Sequence, residues 1–549
     1  MASLPIGAYL ILQVPSFQTF AAKKAATSIS KNLGTKVSIG KVHYLFFNKL
    51  IANDLTILYS HKDTLINSSK ISVKINSSEL LRGKLRFSYI HLHNGVFNLV
   101  NETDSTTNIE RVFGSDSKKE KEKSLKNSPI IYVQNLKLYN FRFTLTDAHT
   151  PDLGDRNFGI NFSDLSVTDI NATINDITAT DSSINANITK INFKEKSGFT
   201  LKNLSAGFFI APGGIWLDQL IVNDGNTLLK ADYLSLLYSV PKPFTTFTES
   251  VTIEAKFNKT KLNFATISYF APTLWNNKLI VNLDGVVTGT VSNLRTEHLK
   301  ITSESGLTHI DLNAKLIGLP NSDETMAFVD INNSTTTTTD LSHIISSLNS
   351  SKPITALKNL PPLIKYNFKG RLAGLLDDFV ANGTITSTIG ELYLDALLKS
   401  NPKKGGIELA GNLTTKELNV GTLIGSESIK EVTLSSKMNA LLRDNDQGGS
   451  EFFIDSLNIT KIVFNDYPYK NIIAIGSYLN NTFDGKVICR DPNLNLLFQG
   501  IIGLSPNENS YYDFYADVIY ADIAALNFDK RDSISAVSMK TLANFTQNS

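Results

Sequence analysis

Few residues in this chain have the type and spacing for chemistry. His91 and His93 stand two apart in FSYIHLHNGVFNLV, so on a strand they share a face and could give a metal two ligands. No cysteine or acidic cluster nearby completes such a site. Asp147, Asp152 and Asp155 lie in LTDAHTPDLGDR, where Pro and Gly mark a turn and the spacing is too sparse for calcium. Asp377-Asp378, and Asp444 with Asp446, read as exposed turns. Cys489 is the single cysteine, so no internal disulfide can form, and in VICRD it reads as a small buried residue. There is no phosphate-binding G-x-x-x-x-G-K-[ST] loop, no H-E-x-x-H and no G-x-S-x-G. A β-helix lyase would need acidic and basic residues clustered on one strand face, and none is found. The sequence thus predicts a protein that is not an enzyme, with no cofactor and no metal.

The elements around these residues are mostly strands. In the stretch 35–59, Val37 and Ile39 alternate with polar residues, Gly40 breaks the run, Phe46 and Phe47 bulge it, and Leu50, Leu55 and Ile57 resume it. Asn53-Asp54-Leu55-Thr56-Ile57 recurs loosely at Gln134–Leu138 and Asp455–Ile459. Ile71, Val73 and Ile75 alternate; so do Ile184, Ala186 and Ile188, and Ile310, Leu312, Ala314 and Leu316. Asn94-Gly95 predicts a hairpin turn between two strands. A slip at Tyr139-Asn140 predicts a bulge. Phe199–Ile210 and Ile215–Val222 pair around Pro212-Gly213-Gly214, and Leu299–Leu316 and Phe379–Leu398 read as further strands. Leu262–Trp275 is the best helix in the middle, and Asp340 is placed to cap a short one through Leu348, with a second helical piece punctuated by Pro353 and Pro361-Pro362.

The ends and the composition set bounds. Leu4–Val14 is apolar but shorter than the ~18 residues of a span, as the remnant of a membrane anchor would be, or else a short buried N-terminal segment. Ser16 can cap a helix to Leu33, stopped by Gly34. Phe17 and Phe20 sit near its membrane end, and Lys23, Lys24 and Lys31 lie largely off its alanine side. Such a helix lies on a bilayer or plugs the end of a sheet. The 549 residues carry a net charge of +2, which implies no strong polyanion partner and no nucleic acid. The run 115–128, SDSKKEKEKSLKNS, reads as a solvated loop, with anionic lipid head groups as the alternative contact. Thr541–Ser549 is mostly polar and offers no helix to cover a sheet edge, which suggests a chain continuing beyond Ser549.

The expected fold is mainly β: a long, curled antiparallel sheet with an elongated hydrophobic groove, an N-terminal amphipathic helix and a few short helices. An apolar trough in water is unfavourable at roughly 25 cal/mol per Å² unless its walls close or something greasy fills it. The expected organisation is an anchor remnant at 1–15, the helix at 16–34, a first groove part at 35–331, a Thr-rich and short-helical interruption at 332–370, and a second groove part at 371–549.

The order of several segments resembles the TamB-type proteins of the AsmA-like group of diderm bacteria. These are QVPSFQTFAAKKAATSISKNLGTKVSIGKVHYLFFNKLIANDLTI, FKEKSGFTLKNLSAGF, LNFATISYFAPTLW followed by GVVTGTVSNLRTEHLKI, and TTKELNVGTLIG. The resemblance implies an N-terminal anchor in the inner membrane and a body in the periplasm shaped as a β-taco. It implies phospholipid supply to the outer membrane and support of outer-membrane protein assembly with a BamA-like barrel partner. The ten alternating residues from Ile71 to Leu316 named above are the lipid-groove candidates. The competing expectation is a structural β-solenoid that binds protein or glycan, with a dry core and an aromatic ladder such as Tyr511, Tyr512, Tyr515 and Tyr520.

Overall fold

The computed structural model describes residues 15–547 except 34, 46–47, 60–62, 81, 83–84, 103–105, 114–129, 148–158, 240–245, 272–273, 275–276, 349–359, 376, 402–405, 444–448, 505–509, 530 and 532–534. The anchor remnant, the Phe46-Phe47 bulge, the charged run 115–128, Asp152 and Asp155, the residues around Pro353, and Asp444 with Asp446 lie outside the described residues.

The chain is mainly β, with 27 strands and few short helices among the described residues. It divides into two compact units, Met1–Asp284 and Gly285–Ser549. In the first, α1 (Pro15–Leu33) precedes β1 (Val37–Ser38), β2 (Val42–Leu45), β3 (Lys49–Leu58) and β4 (Thr64–Ile75). Then come α2 (Ser77–Leu80), β5 (Leu85–Asn101), α3 (Asn108–Phe113), β6 (Ile131–Asp147), β7 (Asp164–Ala179) and β8 (Ile184–Glu195). The unit continues through β9 (Thr200–Ala211), β10 (Gly214–Asn223), β11 (Leu228–Leu237), α4 (Phe247–Ser250), β12 (Thr252–Asn263) and α5 (Phe264–Ile267) to the start of β13 (Ile280–Thr290). The second unit contains β14 (Asn293–Ser303), β15 (His309–Ile317), β16 (Met326–Thr337), α6 (Thr338–Leu348), β17 (Lys365–Leu375), β18 (Asp378–Ser387), β19 (Gly390–Asn401) and β20 (Gly406–Asn419). After α7 (Val420–Ile424) come β21 (Ile429–Arg443), β22 (Glu451–Phe464), β23 (Tyr467–Leu479), β24 (Thr482–Asp491), β25 (Leu494–Gly503), β26 (Ser510–Asp522) and β27 (Ala536–Gln547). From β3 to β12, and from β14 to β27, each strand pairs with its sequence neighbour. Among the described residues no pairing closes either ladder on itself.

Several expectations need correction. The sheet is not antiparallel throughout: β5 and β6 run parallel, Leu85 opposite Ile131 and Asn101 opposite Asp147. A parallel pair needs a long crossover, and the connection from residue 102 to 130, with α3 in it, supplies one. Asn94-Gly95 is no hairpin; β5 passes straight through it, with Asn94 at φ 48°. Asparagine tolerates this left-handed conformation, which a bulge needs as much as a turn does. The slip at Tyr139-Asn140 is a bulge, as expected, between the pairs Leu138–Ala172 and Phe141–Ile170. Leu262–Trp275 is not one helix. Leu262 and Asn263 end β12, and the Asn263 side chain accepts from the Ala265 N–H at 2.9 Å to cap the four-residue α5.

The interruption at 332 is also displaced. Asn332–Thr337 complete β16, consistent with the strand preference of threonine. Thr337, not Asp340, caps α6: its hydroxyl accepts from the Asp340 N–H at 3.3 Å. Likewise the first helix begins at Pro15, so Ser16 lies inside it; proline suits a first helical turn. Leu299–Leu316 and Phe379–Leu398 each fold as two strands around a turn. The pairing around Pro212-Gly213-Gly214 stands as read, with Gly214 opposite Ala211.

Helix α1 covers the free edge of β2. The Gln18 amide donates to the Tyr44 carbonyl at 3.0 Å and accepts from the Tyr44 N–H at 2.7 Å, as a neighbouring strand would. The Thr19 hydroxyl accepts from the Val42 N–H at 3.2 Å. Of the two roles left open for this helix, the structure displays the sheet-end one. Ala26 is buried, whereas Phe20 is 63% exposed and Lys23 and Lys24 are exposed. Phe17 and Lys31 lie on the same helix, and their side chains are outside the described set.

Candidate functional site

The strand register gathers the apolar residues of each unit onto one face. Side chains at directly paired positions point the same way. In the first unit one row runs Val73, Ile90, Leu136, Ile174, Ile188, Ala206, crossing β4 to β9. The next runs Ile71, Leu92, Leu138, Ala172, Ile191, Leu204, Val222, Leu229, crossing β4 to β11. In the second unit a row crosses thirteen strands: Ala314, Val329, Leu372, Ala381, Ala396, Gly411, Met438, Ile454, Gly476, Gly485, Gly500, Phe514, Ala543. Beside it Leu312 pairs with Ile331, and Leu316 with Ala327.

These faces are neither sealed nor bare. Ile71, Val73, Ile75, Ile310, Leu312, Ala314 and Leu316 are all half-buried, as are Ile90, Leu136 and Ile174. Ala186 and Ile188 are buried, but Ile184, at the end of β8, is 42% exposed. Nine of the ten groove candidates are therefore at least half-buried, and Ile184 lies at the margin.

Small residues form part of the second unit's row, and they bend it. Gly476, Gly485 and Gly500 stand opposite one another on three strands. At Gly500, φ is 139°, and an added Cβ would lie 2.3 Å from the Asp513 carbonyl oxygen and 2.5 Å from the Phe514 Cα. The Phe483 ring would lie 2.8 Å from a Cβ on Gly485. Glycine kinks covered by a neighbouring aromatic ring are a way to curve a sheet, and here they lie on the apolar face. They passed unnoticed in the sequence because a glycine inside an alternating run looks like weak strand, and only the cross-strand register shows three in line.

The segments that end the strands pack onto these faces locally. Ile160, Phe199 and Leu201 form a buried cluster with Tyr269 beyond α5, and the Ile160 N–H donates to the Tyr269 carbonyl at 2.8 Å. Asp340 of α6 accepts from the hydroxyls of Ser303 at 2.7 Å, Ser305 at 2.7 Å and Thr308 at 2.9 Å, tying the helix to the β14–β15 turn. Burial opposes its charge, but these hydroxyls and nearby His343 outweigh that and hold the carboxyl below its usual range. Tyr469, Ala521 and Leu526 make a similar cluster at the β26–β27 connection. Next to it Tyr467 donates to Asp491, and burial together with that carboxylate pushes the phenol up to about 12. Burial also pushes the Cys489 thiol up, which keeps it protonated.

The opposite face is polar across β4 to β8 of the first unit, and carries exposed Phe209 and Ile221 further on, in β9 and β10. On its polar part His91 pairs with Lys137 and His93 with Tyr139. The two histidines share this face, but each has its own neighbours. The His91 Nε2 is 3.0 Å from the Asn135 side-chain oxygen, and the His93 ring stacks on Tyr139 at 4.4 Å. Among the described residues no group of three His, Cys, Asp or Glu side chains is placed to hold a metal ion. In the second unit this face carries Arg371 with Asp330 at 2.7 Å and Lys399 with Asp378 at 2.6 Å, but also exposed Phe328, Val380 and Leu397. The tyrosine ladder does not hold together: Tyr512 stacks on Phe545 at 4.7 Å, level with the apolar rows, while Tyr511 and Tyr515 alternate to the other side.

Among the described residues no helix is long and apolar enough to cross a membrane. No family model, no curated protein and no solved structure matches this chain.

Proposed function

We propose that this protein carries phospholipid acyl chains along its apolar sheet faces, as a membrane-biogenesis protein akin to the TamB-type members of the AsmA-like group. The observation that carries the reading is the apolar row that runs from strand to strand in each unit, whose large side chains, such as Ile90, Leu136, Ile174 and Leu372, are only half-buried. A dry structural core would bury such residues fully; a surface meant for water would not be apolar. Acyl chains satisfy such a face because they need no hydrogen-bond partners. Each Leu or Ile that a guest finishes covering contributes on the order of 1 kcal/mol. In this reading the body lies in the periplasm, the N-terminus is held at the inner membrane, and Phe20, Lys23 and Lys24 on the exposed side of α1 face the lipid surface. A BamA-like outer-membrane barrel is the proposed partner. The competing solenoid reading, with protein or glycan bound and no lipid cargo, requires a packed interior, which the half-exposed rows disfavour.

The test is lipid retention. Protein purified in mild detergent is extracted, and its lipids are identified by mass spectrometry. Retained phospholipid, lost on introducing Asp at Leu136 and Ile174 while the strand content by circular dichroism holds, is the expected result. Protein that carries no phospholipid, or a double variant that retains it like the parent, refutes the reading.

A further inference from the structure

The polar face of β3–β8 has a composition that the near-neutral net charge conceals. Lys49, Lys70, Lys74, Lys137 and Lys190 lie on it, and among the described residues none is ion-paired. Some cations elsewhere are matched, as Lys194 is by Asp169 at 3.0 Å and Lys256 by Asp232 at 2.9 Å. His91 and His93 stand between these lysines. Burial, Lys70 and His91 together lower the pKa of His93, so the imidazole there is mostly neutral at neutral pH and serves as a ring surface.

Two depressions indent this face. The larger, about 440 Å³, is lined by Tyr89, His91, Gln134, Asn135, Asn175 and Asp176, among others. It falls where the apolar face slips in three adjacent strands at once. Phe87 and Ile90, Val133 and Leu136, and Ile174 and Ile177 are each three apart, so two consecutive polar residues occupy each gap. Asp176, at φ 52°, takes the strain. The side chains there form a chain of amides: Asn135 donates to Asn175 at 2.7 Å, and Asn175 donates to Thr189 at 2.8 Å. Tyr132 donates to Asp176 at 3.0 Å. The second depression, about 200 Å³, lies two to three residues further along, roughly 7–10 Å. Lys137, Tyr139, Asn171, Lys190 and Asn192 line it.

We propose that this face binds an anionic glycan, seating one sugar unit in each depression. Amide, hydroxyl and carboxylate groups in the larger depression match the mixed donors and acceptors of sugar hydroxyls, and the Tyr89–His91 stack at 4.6 Å gives an aromatic wall. The two lysines of the smaller depression match the acidic group of a neighbouring unit. A purely anionic partner would use the lysines but leave the amide-lined depression unfilled. This surface lies opposite the apolar rows, so the proposal does not depend on lipid being carried there.

The experiment uses the whole chain and four probes: polygalacturonate, its methyl ester, polyglutamate of similar length, and vesicles of anionic phospholipid. Polygalacturonate binds, and esterification weakens it about tenfold by removing the charge. K137A/K190A weakens it by a comparable factor, as does Y139A. These positions are exposed or half-buried, and circular dichroism verifies that the variants are folded. Equal binding of polyglutamate, equal binding of the methyl ester, capture by vesicles without binding of polygalacturonate, or no binding at all would each overturn the proposal.

Discussion

Placing Asp at Leu136 measures whether the apolar face is open. Leu136 is half-buried in the middle of a six-strand row. Fully burying a leucine is worth ~1.5–3 kcal/mol, so its partial cover is worth about 1–2 kcal/mol. An aspartate there keeps one side to water and escapes the penalty of a buried charge. The loss of local stability in lipid-free protein is therefore also about 1–2 kcal/mol. Leu65, two strands away on β4, is fully buried and serves as the reference. The same change there removes all its cover and strands a charge, at a cost above about 4 kcal/mol. Hydrogen exchange followed by mass spectrometry reads the local opening free energy of β4 to β7 without assuming two-state unfolding of so long a chain. If L136D costs as much as L65D, the face is a packed core and the conduit reading fails. With lipid present the gap from the parent widens, because a guest that covers residue 136 must desolvate the carboxylate; lipid should then add less protection to β5–β7 in L136D than in the parent.

Three further outcomes follow from local geometry. G500A should cost about 2–4 kcal/mol, combining a positive φ with a Cβ forced against Asp513 and Phe514; a change of the denaturation midpoint equivalent to under 0.5 kcal/mol would contradict the kink. N419A should cost about 1 kcal/mol locally, since the Asn419 side chain accepts from the Thr422 N–H at 3.0 Å to cap α7, and exchange of the amides of 420–424 should quicken. Asp340 has a pKa below its ordinary value of 3.8, so its contribution is present above that value and is lost as pH falls through the folded value; protection of α6 should fall in that acidic range and become pH-independent there in D340N.

What was legible in the sequence was what local alternation carries. Ile310, Leu312, Ala314 and Leu316 were read as one face, and they are one face. Pro212-Gly213-Gly214 was read as a turn because nothing else suits those residues there. Where the reading failed, the deciding information lay on another strand. Asn94-Gly95 carries the residues of a hairpin, but β5 runs on through its left-handed asparagine; here Asn140, at the bulge of β6, donates to Asn94 at 3.1 Å. Nothing near Leu85–Asn101 announces that its next partner will run parallel. Leu262–Trp275 has helical content over its length, yet Leu262 belongs to the ladder and the capping asparagine leaves only four residues of helix.

The polar depressions and the apolar rows share one cause. A strict alternation would give a sheet with a smooth polar side and a smooth apolar side. Adding one residue at the same level of β5, β6 and β7 keeps Phe87, Val133 and Ile177 apolar-side while placing Tyr89, Asn135 and Asn175 together on the other. Such bulges also increase local twist, so the insertion that opens a depression on one side bends the trough on the other. A deletion of one residue from a single strand of this row would break both surfaces, because it flips every side chain beyond it to the wrong face. A matched deletion of Tyr89, Asn135 and Asn175 would restore the alternation, and with it the apolar row, but not the amide-lined depression. That triple deletion would separate what each face binds: it should keep phospholipid while losing the anionic glycan, and the reverse outcome would show that the faces have been assigned the wrong way round.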